Sequence, residues 1–214
     1  MRAKERIRNA GKARQSVVTR RAEVKLSALA DLFRGAAGEH WVRTESGVLR
    51  RELFLRGMPC LESLGLVYNW ENRFFSVNYN LQITSRVPAA GALFRETGTC
   101  RLALRCTQKG LRGKREYRWD ALHWAGSRED LASCLERLEN PLITERLNAL
   151  DIMEMELRHT EDSGFWDLSC ESLIGSATWI LIPPVLSMIT PKLEECVKCM
   201  ELFQLTADAV VNNR

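Results

Sequence analysis

The longest stretch of the 214-residue chain without a charged side chain covers residues 172–191. As a helix, twenty residues would reach about 30 Å, the thickness of the hydrocarbon layer of a bilayer, so length alone permits a membrane span. The composition disfavours such a span, because Pro183 and Pro184 interrupt its centre and Gly, Ser and Thr dilute its apolar content. We therefore expect no transmembrane segment.

The same stretch divides into a strand and the entry to a helix. Residues 178–182 are apolar and include β-branched side chains, which predicts a strand buried on both faces. The two prolines end this strand, since proline lacks a backbone donor. Thr190 followed by Pro191 predicts the cap and first turn of a C-terminal helix. The absence of charge predicts that the stretch is buried.

Composition places the chain among ordinary globular proteins, with 45% hydrophobic and 27% charged residues. We expect a basic N-terminal segment over residues 1–21, partly disordered or helical, and one α+β domain over residues 22–214. The seven cysteines are an odd number, and the N-terminus lacks the apolar core of a signal peptide. These features predict a reducing compartment, most simply the cytoplasm.

The net charge of +4 conceals an asymmetry between the two halves of the chain. Residues 1–119 contain 24 Lys and Arg against 10 Asp and Glu, whereas residues 120–214 contain 7 against 17. This polarity indicates either an anionic partner for the basic half or an electrostatic match between the halves.

The basic N-terminal segment leads into a helix. Val18, Ala22, Leu26, Leu29 and Phe33 recur at spacings of three and four, and Gly35 and Gly38 supply its end. The segment is interpreted as an arm that binds nucleic acid or an anionic membrane, as an organellar transit peptide, or as a solvated terminus without such a role. Its candidate anion contacts are Arg6, Arg8, Lys12, Arg14, Arg20 and Arg21.

Strand patterns dominate the region that follows. A hairpin is predicted around a turn at residues 45–47, and a strand is predicted over residues 74–84, within which residues 75–84 alternate between apolar and polar side chains without exception. The polar face of that strand is uncharged, which suggests either a ligand pocket or a plain solvated face. The candidate pocket residues are Asn78, Asn80, Gln82, His159 and Trp179.

A second hairpin is predicted from residues 100–107 and 116–124, joined by a basic turn. Tyr117, Trp119 and Trp124 could stack on the bases of single-stranded nucleic acid, or they could pack inward. The basic contacts proposed for this turn are Lys109, Arg112, Lys114 and Arg115.

The acidic half contains helix and strand signals in alternation. Ser127 and Asn140 precede helices as caps, strands follow near residues 151–160 and 165–173, and an amphipathic helix ends the chain. Together these patterns predict an α+β fold, with a largely antiparallel curved sheet of about seven to nine strands. An N-terminal and a C-terminal helix pack on it.

No motif identifies an enzyme, and we expect no metal or cofactor. Cys196 and Cys199 form a CxxC pair inside a helix, without the second pair that a zinc site requires. His159 and Cys170 would form a nucleophilic site only if the strand register joined them.

The leading hypothesis is a non-catalytic soluble binding protein whose basic half contacts an anionic partner such as nucleic acid. The alternatives are a pocket for a small ligand or an enzyme site between the sheet and the terminal helix, and peripheral membrane association.

Overall fold

The computed structural model describes residues 17–58, 60–88, 99–108, 115–152, 154–160, 164–180 and 185–211. Four α-helices occur in these residues, and a short 3₁₀ helix, Gly38–His40, follows the first. The α-helices are α1 (Val17–Ala37), α2 (Arg128–Leu138), α3 (Pro141–Ala149) and α4 (Leu193–Val211). The strands are β1 (Trp41–Gly47), β2 (Arg50–Leu55), β3 (Ser63–Arg73), β4 (Ser76–Pro88), β5 (Cys100–Gln108), β6 (Arg115–His123), β7 (Glu154–His159), β8 (Phe165–Ile180) and β9 (Val185–Met188).

The nine strands form one antiparallel sheet, which confirms the predicted fold class. Its strand order is β1-β2-β3-β4-β8-β7-β5-β6, and β9 pairs with β8 beside this path. β8 therefore joins the two halves of the sheet, because it pairs with β4 from the basic half and with β7 from the acidic half.

The core lies between the sheet and the two long helices. α1 buries Ala22, Leu26, Leu29 and Phe33, the stripe that its periodicity predicts, and it ends before Gly38, whose φ is +55°. α4 buries a matching stripe that includes Phe203. Each fully buried side chain of this size stabilises the fold by about 1.5–3 kcal/mol. We call the side of the sheet that these helices cover the helix face and the other side the open face.

Alternation in β4 is confirmed over its central part, where Tyr79, Leu81 and Ile83 are buried on the helix face. Arg51 is the one charged side chain on the same face of β2, and its guanidinium donates hydrogen bonds to Ser27 Oγ of α1, at 2.9 Å from Nη2. The helix therefore supplies a polar partner for the residue that breaks the apolar pattern.

Both predicted caps of the middle helices are present. Ser127 Oγ accepts from the Asp130 amide at 3.1 Å, and Asn140 Oδ1 accepts from the Leu142 amide at 2.9 Å. These bonds satisfy backbone donors that have no partner within the first helical turn.

Two predicted boundaries are wrong. The β1–β2 turn lies at Val48 and Leu49 rather than at residues 45–47, and Leu49 takes a positive φ of 52° to close it. α4 begins at Leu193, so Thr190 and Pro191 precede it without capping it. Glu195 instead caps the start of the helix, because its carboxylate accepts a hydrogen bond from the Lys192 amide at 2.7 Å.

β8 is one strand with a local excursion, where separate strands were expected. Residues 173–176 stand opposite Asn80 alone, because Ser172 pairs with Leu81 and Ala177 pairs with Tyr79. The excursion leaves the Leu81 amide without a strand partner, and Ser176 Oγ accepts from it at 2.8 Å. The same hydroxyl donates to the Ser172 carbonyl at 2.6 Å, so the break in the ladder is repaired by one side chain.

Candidate functional site

The end of the sheet formed by the β3–β4 turn carries exposed apolar side chains. Phe74 is 89% and Phe75 is 63% exposed, and their rings contact each other edge to face with centroids 4.7 Å apart. Ser76, the next residue, pairs with Ile180 at the end of β8, and Ile180 pairs with Val185 at the start of β9. We call Phe74, Phe75, Ile180 and Val185 the apolar tip.

The tip overturns the expectation that the uncharged stretch is buried. Ile180 and Val185 are 40% and 47% exposed, and Leu173 and Ile189 of the same stretch are also exposed. Ala177 and Trp179 on the helix face are buried, whereas Ile180 is exposed, so the described part of the predicted strand 178–182 is not covered on both faces; residues 181 and 182 lie outside the described residues. No helix within the described residues is long and apolar enough to cross a membrane. Exposed apolar side chains that are contiguous mark interaction surfaces more often than isolated ones do.

The basic start of α1 lies at the same end of the molecule. The Arg21 guanidinium sits over the Trp179 ring, 5.2 Å from its centroid, and Trp179 pairs across the strands with Val77. Arg20 is exposed beside it. Glu23 is the only acid in this helix before Asp31. The first turns of α1 therefore carry positive charge close to the apolar tip.

Elsewhere, many arginines of the basic half are paired with carboxylates. Among the residues that the structure describes, five ion pairs join residues 1–119 to residues 120–214, which supports the interpretation that part of the asymmetry is an internal electrostatic match. These pairs are Arg86–Asp167, Arg101–Glu156, Arg105–Asp120, Arg115–Asp151 and Arg118–Asp120. Arg34, Arg43, Arg50 and Arg73 pair with acids close by in the sequence.

The candidate anion contacts divide into three groups. Arg20 and Arg21 lie on α1 as described, whereas Arg115 pairs with Asp151. The remaining candidates lie outside the described residues: Arg6, Arg8, Lys12, Arg14, Lys109, Arg112 and Lys114. Of the proposed stacking rings, Trp119 is buried with 3% exposure, and Trp124 Nε1 donates to the Ser127 carbonyl at 2.9 Å. The β5–β6 hairpin therefore does not present Trp119 to a base.

The five candidate pocket residues do not share a cavity. Asn78, Asn80 and Gln82 lie on the open face, where the Asn69 amide donates to Gln82 Oε1 at 2.8 Å. His159 and Trp179 are buried on the helix face, and the His159 ring lies 5.3 Å from the Trp166 ring. Between the sheet, α1 and α4, side chains leave a cavity of about 20 Å³, which has room for about one water molecule and not for a larger ligand.

The open face has a shallow groove of about 630 Å³ at its centre. Gln82 contributes to its wall together with Glu154, Glu156 and Glu171, and Arg105 also lines it. Within the described residues no group of three or more His, Cys, Asp and Glu could hold a metal ion. The groove mixes these charged groups with apolar side chains that include Leu104, Leu122 and Met155, whereas ligand pockets are lined predominantly by hydrophobic and aromatic side chains.

The cysteines on the helix face are core residues. Burial raises the pKa of Cys170 and of Cys196 to about 12 and raises that of Cys199 well above its ordinary value. Thiols of this kind remain protonated near neutral pH and react slowly. The register places Cys170 opposite Met155 and His159 opposite Trp166, so the two residues are separated by about 13 Å along the strands and form no nucleophilic pair.

Sequence patterns missed the apolar tip. Strict alternation assigns Phe75 to the buried side of β4, but Arg73 pairs with Ser76, which leaves Phe74 and Phe75 as the turn itself. A signal was present in the adjacent pair of phenylalanines beside the polar residues 71–73 and in the uncharged stretch. Joining the two required the pairing of β4 with β8.

These features define an α+β protein in which one antiparallel sheet is covered by helices on one side and ends in an apolar tip beside a basic helix terminus. The chain belongs to the family described as "Protein of unknown function (DUF3156)", whose model matches residues 31–210. The matched residues include the apolar tip and exclude the first half of α1. No curated protein and no solved structure matches the chain.

Proposed function

We propose that this protein is a binding protein whose basic N-terminal end contacts an anionic partner. The observation that carries the proposal is the unneutralised charge at the start of α1. Within the described part of the chain, no carboxylate forms an ion pair with Arg20 or Arg21, whereas arginines elsewhere in the basic half are largely paired. Both residues are the last of the eight basic side chains in residues 1–21, a segment that contains one acid.

Paired and unpaired arginines differ in what they offer a partner. An arginine that already bonds a carboxylate must give up that bond before it binds a phosphate, whereas Arg20 is exposed and bonds no carboxylate among the described residues. Arg21 also forms no ion pair among the described residues, and its guanidinium carbon lies over the Trp179 ring. A planar guanidinium held in this way is suited to phosphate groups, which both nucleic acids and membrane surfaces present.

The test uses the full chain and two anionic probes, a fluorescein-labelled single-stranded oligonucleotide and phospholipid vesicles that contain phosphatidylserine. The variant Arg20→Ala/Arg21→Ala removes two charges at the start of α1. The control Arg34→Ala/Arg43→Ala removes the same charge from arginines that bond Asp31 and Glu45 and that also rest on aromatic rings. Affinity is measured between 50 and 200 mM salt.

Binding to at least one probe is expected to weaken as salt increases, because counterions compete for the phosphates. For an oligonucleotide, losing two phosphate contacts reduces the slope of log affinity against log salt by roughly 1.4. The control variant retains the affinity of the unaltered protein. The proposal fails if neither probe binds in a salt-dependent manner, or if both variants weaken binding equally.

A further inference from the structure

We propose that the anionic partner is a phospholipid surface and that the apolar tip is the part of the molecule that enters it. This inference rests on the proposed function, to which it adds the class of partner and the residues that insert. Three neighbouring backbone segments bring Phe74, Phe75, Ile180 and Val185 together, and none of these side chains has a polar group.

The shape of the tip favours insertion over docking in a groove. Phe74 and Phe75 occupy a two-residue turn at the end of β3 and β4, so they project from the end of the sheet rather than line a depression. The Phe74 side chain is 89% exposed to solvent. Residues 172–191 contain no charge, and the nearest charged residue of the β3–β4 hairpin, Arg73, is paired with Glu71. The hairpin turn and residues 172–191 carry no unpaired carboxylate. Entry of the tip into the lipid therefore does not require a carboxylate to lose its hydration.

The positive charge of Arg21 lies farther from the end of the sheet than the apolar tip does, at the depth where lipid headgroups would lie after insertion. Trp179 carries Arg21 on its ring and pairs with Val77, and Phe75 is two residues nearer the end of β4. Two strand residues cover roughly 7 Å, which compares with the depth of about 5–10 Å at which apolar groups enter the boundary between headgroups and acyl chains. When the rings lie among acyl chains, the guanidinium is therefore at the level of the phosphates.

Apolar and basic groups together meet the requirement for stable attachment. A single weak apolar anchor gives only marginal binding, and a basic cluster adds about a fivefold gain for each Lys or Arg near an anionic surface. Val17, at the start of α1, is also 65% exposed, so the basic end of this helix carries an accessible apolar side chain of its own. The basic residues at positions 1–16 precede this point in the chain.

Nucleic acid is a poorer match to the same surface. A stacking platform requires flat rings that bases can cover in succession, whereas aliphatic Ile180 and Val185 accompany the two phenylalanines. The four tip side chains also lack donors and acceptors for base edges. Trp119 of the predicted nucleic-acid hairpin is buried. A lipid surface accounts for both the apolar and the basic part of the site.

The experiment measures co-sedimentation of the full chain with vesicles of phosphatidylcholine alone and with vesicles that contain 30% phosphatidylserine. Phe74→Ser/Phe75→Ser removes the two rings from exposed positions, where the fold does not depend on them. The control Leu122→Ser/Leu142→Ser removes two other exposed apolar side chains, at 48% and 49% exposure, on β6 and α3. Melting temperatures of both variants verify that they fold.

The unaltered protein is expected to bind the vesicles with phosphatidylserine and to be released by salt. Loss of the rings reduces vesicle affinity about tenfold for each ring, roughly 100-fold in the double variant. The reason is that binding of the variant no longer transfers the Phe rings from water into the acyl chains. Loss of Arg20 and Arg21 reduces it about 30-fold. The control variant binds as the unaltered protein does.

A second readout reports insertion directly. Phe74→Trp adds a seventh tryptophan at the tip, and the difference between its emission and that of the unaltered protein is expected to shift to shorter wavelength with vesicles and to be quenched by brominated acyl chains. An unshifted emission in the presence of bound vesicles would overturn insertion by the tip.

The remaining outcomes separate this inference from the proposed function. If Phe74→Ser/Phe75→Ser binds vesicles normally while Arg20→Ala/Arg21→Ala does not, insertion is wrong and anion binding stands. If the protein binds the oligonucleotide but not the vesicles, the lipid partner is wrong and anion binding again stands. If neither probe binds, both are wrong.

Discussion

Gly175 is a position where both the backbone and the neighbouring side chains require glycine, and its replacement by alanine gives a quantitative test of the β8 excursion. Its φ is +86°, a conformation that residues with a Cβ rarely adopt. A Cβ placed there would lie 2.7 Å from Leu81 Cδ2 and 3.0 Å from Leu29 Cδ2. Both leucines are fully buried, so neither side chain can move into solvent.

The expected loss of stability has two parts. A left-handed conformation costs a residue with a Cβ about 1–2 kcal/mol. Forcing a methyl group into a filled core costs about a further 1–3 kcal/mol, because Leu81 and Leu29 must leave their preferred rotamers or shift the backbone. Gly175→Ala should therefore lower the free energy of unfolding by about 2–5 kcal/mol. For a chain of this size, each kcal/mol corresponds to about 2–4 °C in melting temperature.

Urea denaturation followed by tryptophan fluorescence measures the loss, with Gly38→Ala as the matched control. Gly38 also has a positive φ, +55°, but a Cβ there would meet no atom within 4 Å. This control should lose only the conformational part, so the two variants should differ by about 1–3 kcal/mol. Equal losses in the two variants would refute the argument that contact with Leu81 and Leu29 demands glycine.

Three further tests concern the same core. Ser176→Ala leaves the Leu81 amide and the Ser172 carbonyl without their partner and should cost about 1–3 kcal/mol in urea denaturation. Burial raises the pKa of the Cys170 thiol from 9.0 to about 12, so the unfolded chain releases this proton first. Stability should then fall between about pH 9 and 12 by up to about 1.4 kcal/mol per pH unit, and Cys170→Ala should show a shallower decline. Alkylation followed by mass spectrometry should leave Cys196 and Cys199 of the native protein unlabelled at pH 7; rapid labelling would contradict their burial.

Local sequence patterns were sufficient for most elements of the fold. Periodicity in α1 identified Ala22, Leu26, Leu29 and Phe33, because a helix packed on a sheet must place its apolar residues three and four apart. Alternation in β4 and the caps at Ser127 and Asn140 were equally local signals. Such patterns depend on backbone geometry within a few residues, so they hold inside the elements, whereas the ends of β4 and of the C-terminal helix departed from them.

Local sequence patterns were not sufficient to predict the candidate site. The sequence determined that a charge-free stretch, two adjacent phenylalanines and a basic N-terminal segment exist, but they are separated by about 50 to 100 residues. Only the pairing of β4 with β8, and the packing of α1 against Trp179, brought them to one end of the molecule. Residue 180 was expected to be buried because apolar residues usually are, yet the strand end left it uncovered. Burial is decided by which strands and helices become neighbours, and that is a property of the tertiary structure.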